Sequence, residues 1–208
     1  MIPALDPSGR TDNLYLQFLQ DLEDQGFKGD LRQDYGTRLV TATDNSIYQV
    51  MPQAVVFPKD TADLKLVLEL SAEEKYQKIS LTPRGGGTGT NGQSLSEGII
   101  VDCSRHMNQI LELNLDEAWV RIQPGVVLDQ LNDYLKPHGV FFAPNVSPSS
   151  RATLGGMINT DACGKGSRVY GRTSNHILEL NCVCLLYTSP SPRDQRGSGV
   201  AAGGWKKK

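Results

Sequence analysis

Apolar residues recur along this chain in short runs separated by turn-forming residues, and their spacing predicts a mixture of helices and strands. Over Asp12 to Phe27 (DNLYLQFLQDLEDQGF), Leu14, Phe18, Leu19 and Leu22 follow a helical period, with Asp12 as cap and Gly26 near the end. Residues 29–51 read as polar and irregular, holding Arg32, Asp34, Tyr35, Arg38 and Tyr48. Ala54 to Phe57 is a β-type run that Pro58 ends. A second helix starts at Asp60 or Thr61 and turns Leu64, Val67, Leu68 and Leu70 inward. Ile79 to Thr82 is a strand entering a glycine cluster, and Gly98 to Asp102 (GIIVD) is the strand leaving it. Two alternating segments, Ile110 to Leu115 and Ala118 to Ile122, meet at Asp116 and Glu117 and read as an antiparallel hairpin. Val127 to Leu135 predicts a third helix, closed by Pro137 and Gly139. A loop-rich stretch to Gly171 follows, then a last strand from Ile177 to Cys184. This order of elements indicates an α+β fold.

Composition narrows the class. Hydrophobic residues make up 38% of the 208, yet no run approaches the length of about 18 apolar residues that a membrane span needs. The opening MIPALDPSGR carries no secretory pattern. With 21 Lys+Arg against 23 Asp+Glu there is no chain-wide basic footprint, so no nucleic-acid partner is expected. Four cysteines are too sparse for a disulfide scaffold, and a cytoplasmic location is expected. The average hides a boundary. Residues 185–208 are rich in Ser, Pro and Gly and hold Arg193, Arg196 and Lys206 to Lys208 against Asp194. The remainder is therefore acidic, near −6 by roughly counting residues. This stretch reads either as a flexible solvated tail or as foreign sequence, because CLLYTSPSPRD resembles a translated sequencing-adapter read-through. On the second reading the natural protein is cut near Cys184. The expected organisation is an N-terminal helical and irregular segment (1–50), a main unit (51–184) and the appended tail (185–208).

Residues 83–92 read PRGGGTGTNG and carry most of the chemical information. A glycine loop after a strand lets backbone N–H groups converge on an anion. Thr88, Thr90 and Asn91 add side-chain donors, and Arg84 adds positive charge; a diphosphate suits that combination. Gly87, Gly89 and Gly92 satisfy G-x-G-x-x-G, but the strand GIIVD follows where a dinucleotide fingerprint requires a helix. The Walker pattern fails as well, since Gly164-Lys165 is followed by Gly166. A glycine-rich turn without a ligand is the bland alternative.

PRGGGTG, preceded by helix and strand and followed by GIIVD, resembles the pyrophosphate loop of the FAD-linked oxidases of the vanillyl-alcohol-oxidase (PCMH) type. Within them the chain is most similar to the D-lactate and D-2-hydroxyglutarate dehydrogenase branch. Tyr35 to Gln49 (YGTRLVTATDNSIYQ) resembles the long bacterial FAD-linked dehydrogenases with a C-terminal iron–sulfur portion. A second patch, PNVSPSSRATLGGMINTDACGKGSRVYG over residues 144–171, supports the likeness. The resemblance implies a PCMH-type FAD-binding domain, incomplete at its C-terminus, with two α/β subdomains and FAD between them. It implies that Arg84, Gly85, Gly86, Gly87, Thr88, Gly89, Thr90 and Asn91 hold the diphosphate. By the same resemblance Pro144, Ser147, Thr153, Gly155, Gly156, Asp161, Gly164, Tyr170 and Gly171 line the flavin and its ribityl chain. Thr88 stands where tethered relatives carry a His, which implies non-covalent FAD. Asp161 stands where an Asn is frequent.

The implied reaction is oxidation of a small D-2-hydroxy acid by hydride transfer to flavin, with the electron acceptor left open. An iron–sulfur cluster, where the family has one, lies in the C-terminal part beyond this chain. A domain that binds a nucleotide or diphosphate without redox chemistry is the reading from another class. The family's carboxylate-binding group and catalytic base lie largely in a substrate domain that follows, so no catalytic residue is assigned. Arg38 and Tyr48 are polar residues of the resembling stretch able to approach the flavin. His106, His138 and His176 lack metal-ligand spacing, and Cys182 and Cys184 lack a second pair; no metal site is expected.

Overall fold

Runs that are apolar on both faces belong at the centre of a parallel sheet, and the two such runs in this chain form its middle. In the computed structural model, which describes residues 11–183, β2 (Ala54–Phe57) and β4 (Ile99–Asp102) are buried along their whole length. The sheet has the order β1-β2-β4-β3, with β1 (Asp30–Arg32) antiparallel to β2 and with β3 (Leu81–Arg84) parallel to β4.

One face of this sheet packs on α1 (Asn13–Asp24) and α3 (Thr61–Ser71). Asp12 accepts a hydrogen bond from Leu14 N–H at 2.8 Å and Asp60 from Asp63 N–H at 3.0 Å, so both helices start at the expected caps. Phe18, Leu22, Val67, Leu70, Val56 and Ile99 meet there with Tyr76. Leu68, expected to point inward, is half-buried and lies outside this cluster, whereas Asp63 is buried. The Asp63 carboxylate accepts from Lys28 N–H (3.0 Å) and Lys59 N–H (2.9 Å), which ties α3 to the chain entering β1. Val55, Phe57 and Ile100 form a smaller cluster on the sheet's other face.

A second α/β subdomain is built on the antiparallel pair β5 (Ile110–Asn114) and β6 (Trp119–Ile122), with an irregular register between Ile110 and Glu112. Its core joins Leu128, Leu131 and Leu135 of α4 (Leu128–Leu135) to Leu154 and Met157 of α5 (Leu154–Asn159). The fold is therefore α+β in two parts, as the sequence implies.

Several expectations change. Residues 29–51 are not irregular throughout: they hold β1 and α2 (Tyr35–Thr41). Because β1 pairs with β2, and α1 shares the first core, residues on both sides of position 50 build one sheet. The third strand runs from Leu81 to Arg84, two residues later than its apolar run suggests. The stretch to Gly171 includes α5 and a short helix, α6 (Ser167–Tyr170). Residues 177–183 form no strand, and Leu178 and Leu180 are exposed; alternation without a neighbouring strand leaves the backbone with nothing to pair. Cys184 and residues 185–208 lie outside the described residues.

Candidate functional site

The last rung between β3 and β4 is the bond from Cys103 N–H to the Arg84 carbonyl, 3.0 Å. Past it the chain leaves the sheet as the glycine loop. Among the described residues, none accepts a hydrogen bond from the backbone N–H groups of residues 85–90. Residues 85–89 are nevertheless half-buried. A row of half-buried donors without protein acceptors fits an anion, and a diphosphate offers enough oxygens to satisfy it. The Asn91 N–H is used internally, donating to Gln93 Oε1 at 3.1 Å.

The glycines of this loop serve close approach of protein to protein. A Cβ on Gly85 would collide with Thr153 Oγ1, and one on Gly86 with the Arg151 carbonyl oxygen. The two sequence patches are therefore in direct contact, although 65 positions separate Gly86 from Arg151. Gly87 has φ +62°, a conformation that disfavours any side chain.

In the second patch Thr153 caps α5, its hydroxyl accepting from Gly156 N–H at 3.4 Å. Gly155 N–H donates to the Pro124 carbonyl at 2.9 Å, and a Cβ on Gly155 would meet the Pro124 ring at 2.7 Å. Gly164 crosses closely over the Asn145 carbonyl, beside the buried Pro144. Ser147 is exposed, as are Thr90 and Asn91 in the first patch.

Asp161, Tyr170 and Gly171 gather elsewhere in the same stretch. Asp161 has φ +46°, which Asp tolerates as Asn does, so its place in an Asn-type turn is kept. Its carboxylate accepts from Ser174 N–H at 3.0 Å and pairs with Arg172 at 3.5 Å. Those Ser174 bonds, with Arg172 behind them, hold its pKa below the usual carboxylate range. The Tyr170 ring meets Phe141 edge-on at 5.8 Å, and His176 Nε2–H donates to the Tyr170 carbonyl at 2.7 Å. Among the described residues, none of the hydrogen bonds or ring contacts of Asp161 and Tyr170 reaches the glycine loop.

Arg84 departs most from expectation. Its guanidinium donates to the carbonyls of Thr41 (3.2 Å) and Thr43 (2.7 Å) and to the hydroxyl of Ser94 (3.3 Å). Burial lowers its pKa, with Asp102 and Asp44 opposing that shift. Asn45 and Arg151 were not singled out in the sequence. Asn45 Nδ2 donates to the Thr88 carbonyl at 3.5 Å, and Arg151 Nη2 donates to Asn45 Oδ1 at 3.3 Å. The Tyr48 ring stands 3.0 Å from where a Gly92 Cβ would sit. Arg38 is buried, with Nε donating to the Pro52 carbonyl at 2.6 Å.

Among the described residues no group of three or more His, Cys, Asp or Glu could hold a metal ion. His106 contacts Asp30 at 3.0 Å, and burial raises the Cys103 pKa to about 11, keeping that thiol protonated. No helix of the described residues is long and apolar enough to cross a membrane.

A family model described as an FAD binding domain matches residues 52–185. The chain is 58% identical to the D-2-hydroxyglutarate dehydrogenase of Escherichia coli (strain K12) over 92% of its own length and 19% of that protein's. The chain thus spans about a fifth of that relative. In three dimensions it superimposes on an alkyldihydroxyacetonephosphate synthase with a TM-score of 0.68, at 23% identity, over 83% of this chain and 34% of the other. With p-cresol methylhydroxylase the TM-score is 0.60 at 18% identity, over 77% and 32% of the two chains.

Proposed function

Since the chain belongs to the FAD binding domain family, we infer that it is the flavin-holding part of an FAD-dependent oxidoreductase acting on a D-2-hydroxy acid, of the D-2-hydroxyglutarate or D-lactate type. The observation that carries this reading is the row of unpartnered N–H groups in residues 85–90, held against Arg151 and Thr153. In this reading those N–H groups take the diphosphate, with Thr88, Thr90 and Asn91 adding side-chain donors. Pro144, Ser147, Thr153, Gly155, Gly156, Asp161, Gly164, Tyr170 and Gly171 line the rest of the cofactor. Thr88 stands where tethered relatives carry a His, so in this reading FAD is held without a covalent bond.

When bound, FAD would supply the electron sink that takes up the two electrons as the D-2-hydroxy acid is oxidised to a 2-oxo acid. The chain's residues bind and orient, and the close crossings of Gly86 on Arg151 and of Gly164 on Asn145 fix the backbone of the two patches. By the family resemblance, the base and the carboxylate-binding group lie largely in a substrate domain that follows. A cytoplasmic site of action accords with Cys103, Cys163 and Cys182 as free thiols. The relatives' names favour this reading over a diphosphate-binding module without redox chemistry, which the loop alone leaves open.

Titrating the purified chain with FAD tests the binding reading. Flavin fluorescence is expected to quench on binding, ADP to compete, and riboflavin, which lacks the diphosphate, to bind far more weakly. A folded chain that takes up neither FAD nor ADP overturns it. For the substrate class, the complete enzyme should bleach its flavin with D-2-hydroxyglutarate or D-lactate; bleaching with neither rejects that class.

A further inference from the structure

Arg84 opens the glycine loop, yet its charge is directed inward. Nη1 donates to the carbonyls of Thr41 (3.2 Å) and Ser94 (3.4 Å) and to Ser94 Oγ (3.3 Å), while Nη2 donates to the Thr43 carbonyl (2.7 Å). One planar group thereby fastens the end of α2, the turn after it and the segment that follows the glycine loop. Asp44 completes the arrangement by accepting from Ser94 Oγ at 3.2 Å. On its other side the guanidinium lies directly under Gly87, where a Cβ would stand 2.5 Å from Nη2. The fastened segment then reaches the loop twice more, through Asn45 to the Thr88 carbonyl and through the Tyr48 ring to Gly92.

We propose that Arg84 is a positioning residue for the cofactor and not a ligand of its diphosphate: it locks residues 41–48 and Ser94 against the glycine loop, so that the loop's N–H groups keep one orientation. The proposal rests on the reading that this loop holds FAD. Its physical basis is the shape of the donor set. A planar guanidinium can bridge three carbonyls and a hydroxyl on separate segments, whereas a lysine ammonium is a compact donor on a flexible stem and cannot span them. A ligand of the diphosphate would be valued for its charge, which lysine retains. Positioning depends on the fork, which lysine lacks.

The test compares the purified chain with Arg84→Lys, Arg84→Gln and Ser94→Ala, measuring FAD affinity at several salt concentrations and hydrogen exchange of the FAD-free proteins. The expected result is that both Arg84 variants weaken FAD by about tenfold or more, to a similar extent, with the salt dependence of binding unchanged. Exchange should rise in residues 41–48 while the core around Phe18 and Ile99 stays protected. Ser94→Ala should produce the same pattern more weakly. If Arg84→Lys binds like the parent chain while Arg84→Gln loses both affinity and salt dependence, the charge meets the diphosphate and the proposal falls. Should both Arg84 variants fail to fold, Ser94→Ala decides, and unchanged affinity and exchange there overturn the proposal. A parent chain that is folded but takes up no FAD rejects the cofactor reading; unaltered exchange of residues 41–48 in the variants rejects the fastening itself.

Discussion

The first core and the glycine-loop rim answer opposite demands on one chain. In the core, β2 and β4 bury every residue and their backbone groups pair along the ladders. At the rim, no described residue accepts a hydrogen bond from the N–H groups of residues 85–90, although most of that stretch is half-buried. Stability resides in side chains on one side of this comparison and in bare backbone on the other. Glycine shows the difference most directly. Gly26 and Gly139 have positive φ and open space around a would-be Cβ, so they serve only chain direction. Gly86 and Gly164 have ordinary φ, and a Cβ on either would strike a carbonyl oxygen. Gly85 and Gly86 serve contact between distant segments, with Thr153 and Arg151.

Separate failures should follow when each side is damaged. The largest effect is expected at Phe18, fully buried and packed edge-on against Tyr76 at a ring separation of 5.0 Å. Phe18→Ala should lower stability in urea denaturation by about 3–5 kcal/mol. FAD affinity of the remaining folded protein should be unchanged, and a specific loss of affinity there would dissolve the distinction between core and rim. Gly86→Ala should do the reverse. Its Cβ must push the loop off the Arg151 carbonyl, costing about 1–3 kcal/mol of stability. Its main effect should be weaker FAD binding by fluorescence titration. Gly139→Ala is the control: its strain of about 1–2 kcal/mol is felt in stability alone. Equal FAD affinity for the Gly86 and Gly139 variants would break the comparison.

This contrast also explains which parts of the molecule could be read in advance. The helices at Asn13–Asp24 and Thr61–Ser71, the buried strands and the hairpin announce themselves because apolar periodicity reports burial. α2 escapes that signal because its buried residues are Arg38 and Thr41, polar side chains satisfied by hydrogen bonds. β1 is only three residues long and α5 carries two adjacent glycines, so neither has a usable period. The opposite error falls on Ile177 to Cys184, where alternation is present and, among residues 177–183, no strand forms. At the site, the glycine loop and the second patch are legible as motifs. Their contact through Gly86 and Arg151 is not, because no local pattern encodes an approach between segments so far apart. The direction of Arg84 is equally hidden: a cation beside a phosphate-type loop suggests a ligand, and only the positions of Thr41, Thr43 and Ser94 show where its donors go.

The smallest effect sharpens the comparison from the core side, through pH. The Tyr76 hydroxyl donates to Asp21 at 2.7 Å beneath the α1–α3 face, and burial, reinforced by the Asp21 charge, raises its pKa from 10.0 to about 12. Below pH 10 both folded and unfolded chains hold this proton, so its contribution is fully present. As pH rises from 10 toward about 12 the unfolded chain ionises first, and stability falls across that window. Tyr15, whose pKa burial also raises, adds to the same decline. The decisive quantity is therefore the difference between the parent chain and Tyr76→Phe. At neutral pH the variant should be less stable by about 1 kcal/mol, the value of one hydrogen bond. Above pH 10 that gap should close, since the variant has no Tyr76 proton to lose. A constant gap up to pH 12 would mean that the hydroxyl is not held in the core as the structure places it. Because Tyr76 belongs to the first core and its hydroxyl bonds Asp21, away from the glycine loop, FAD affinity of the folded protein should differ little between the two chains, which keeps this core test independent of the rim.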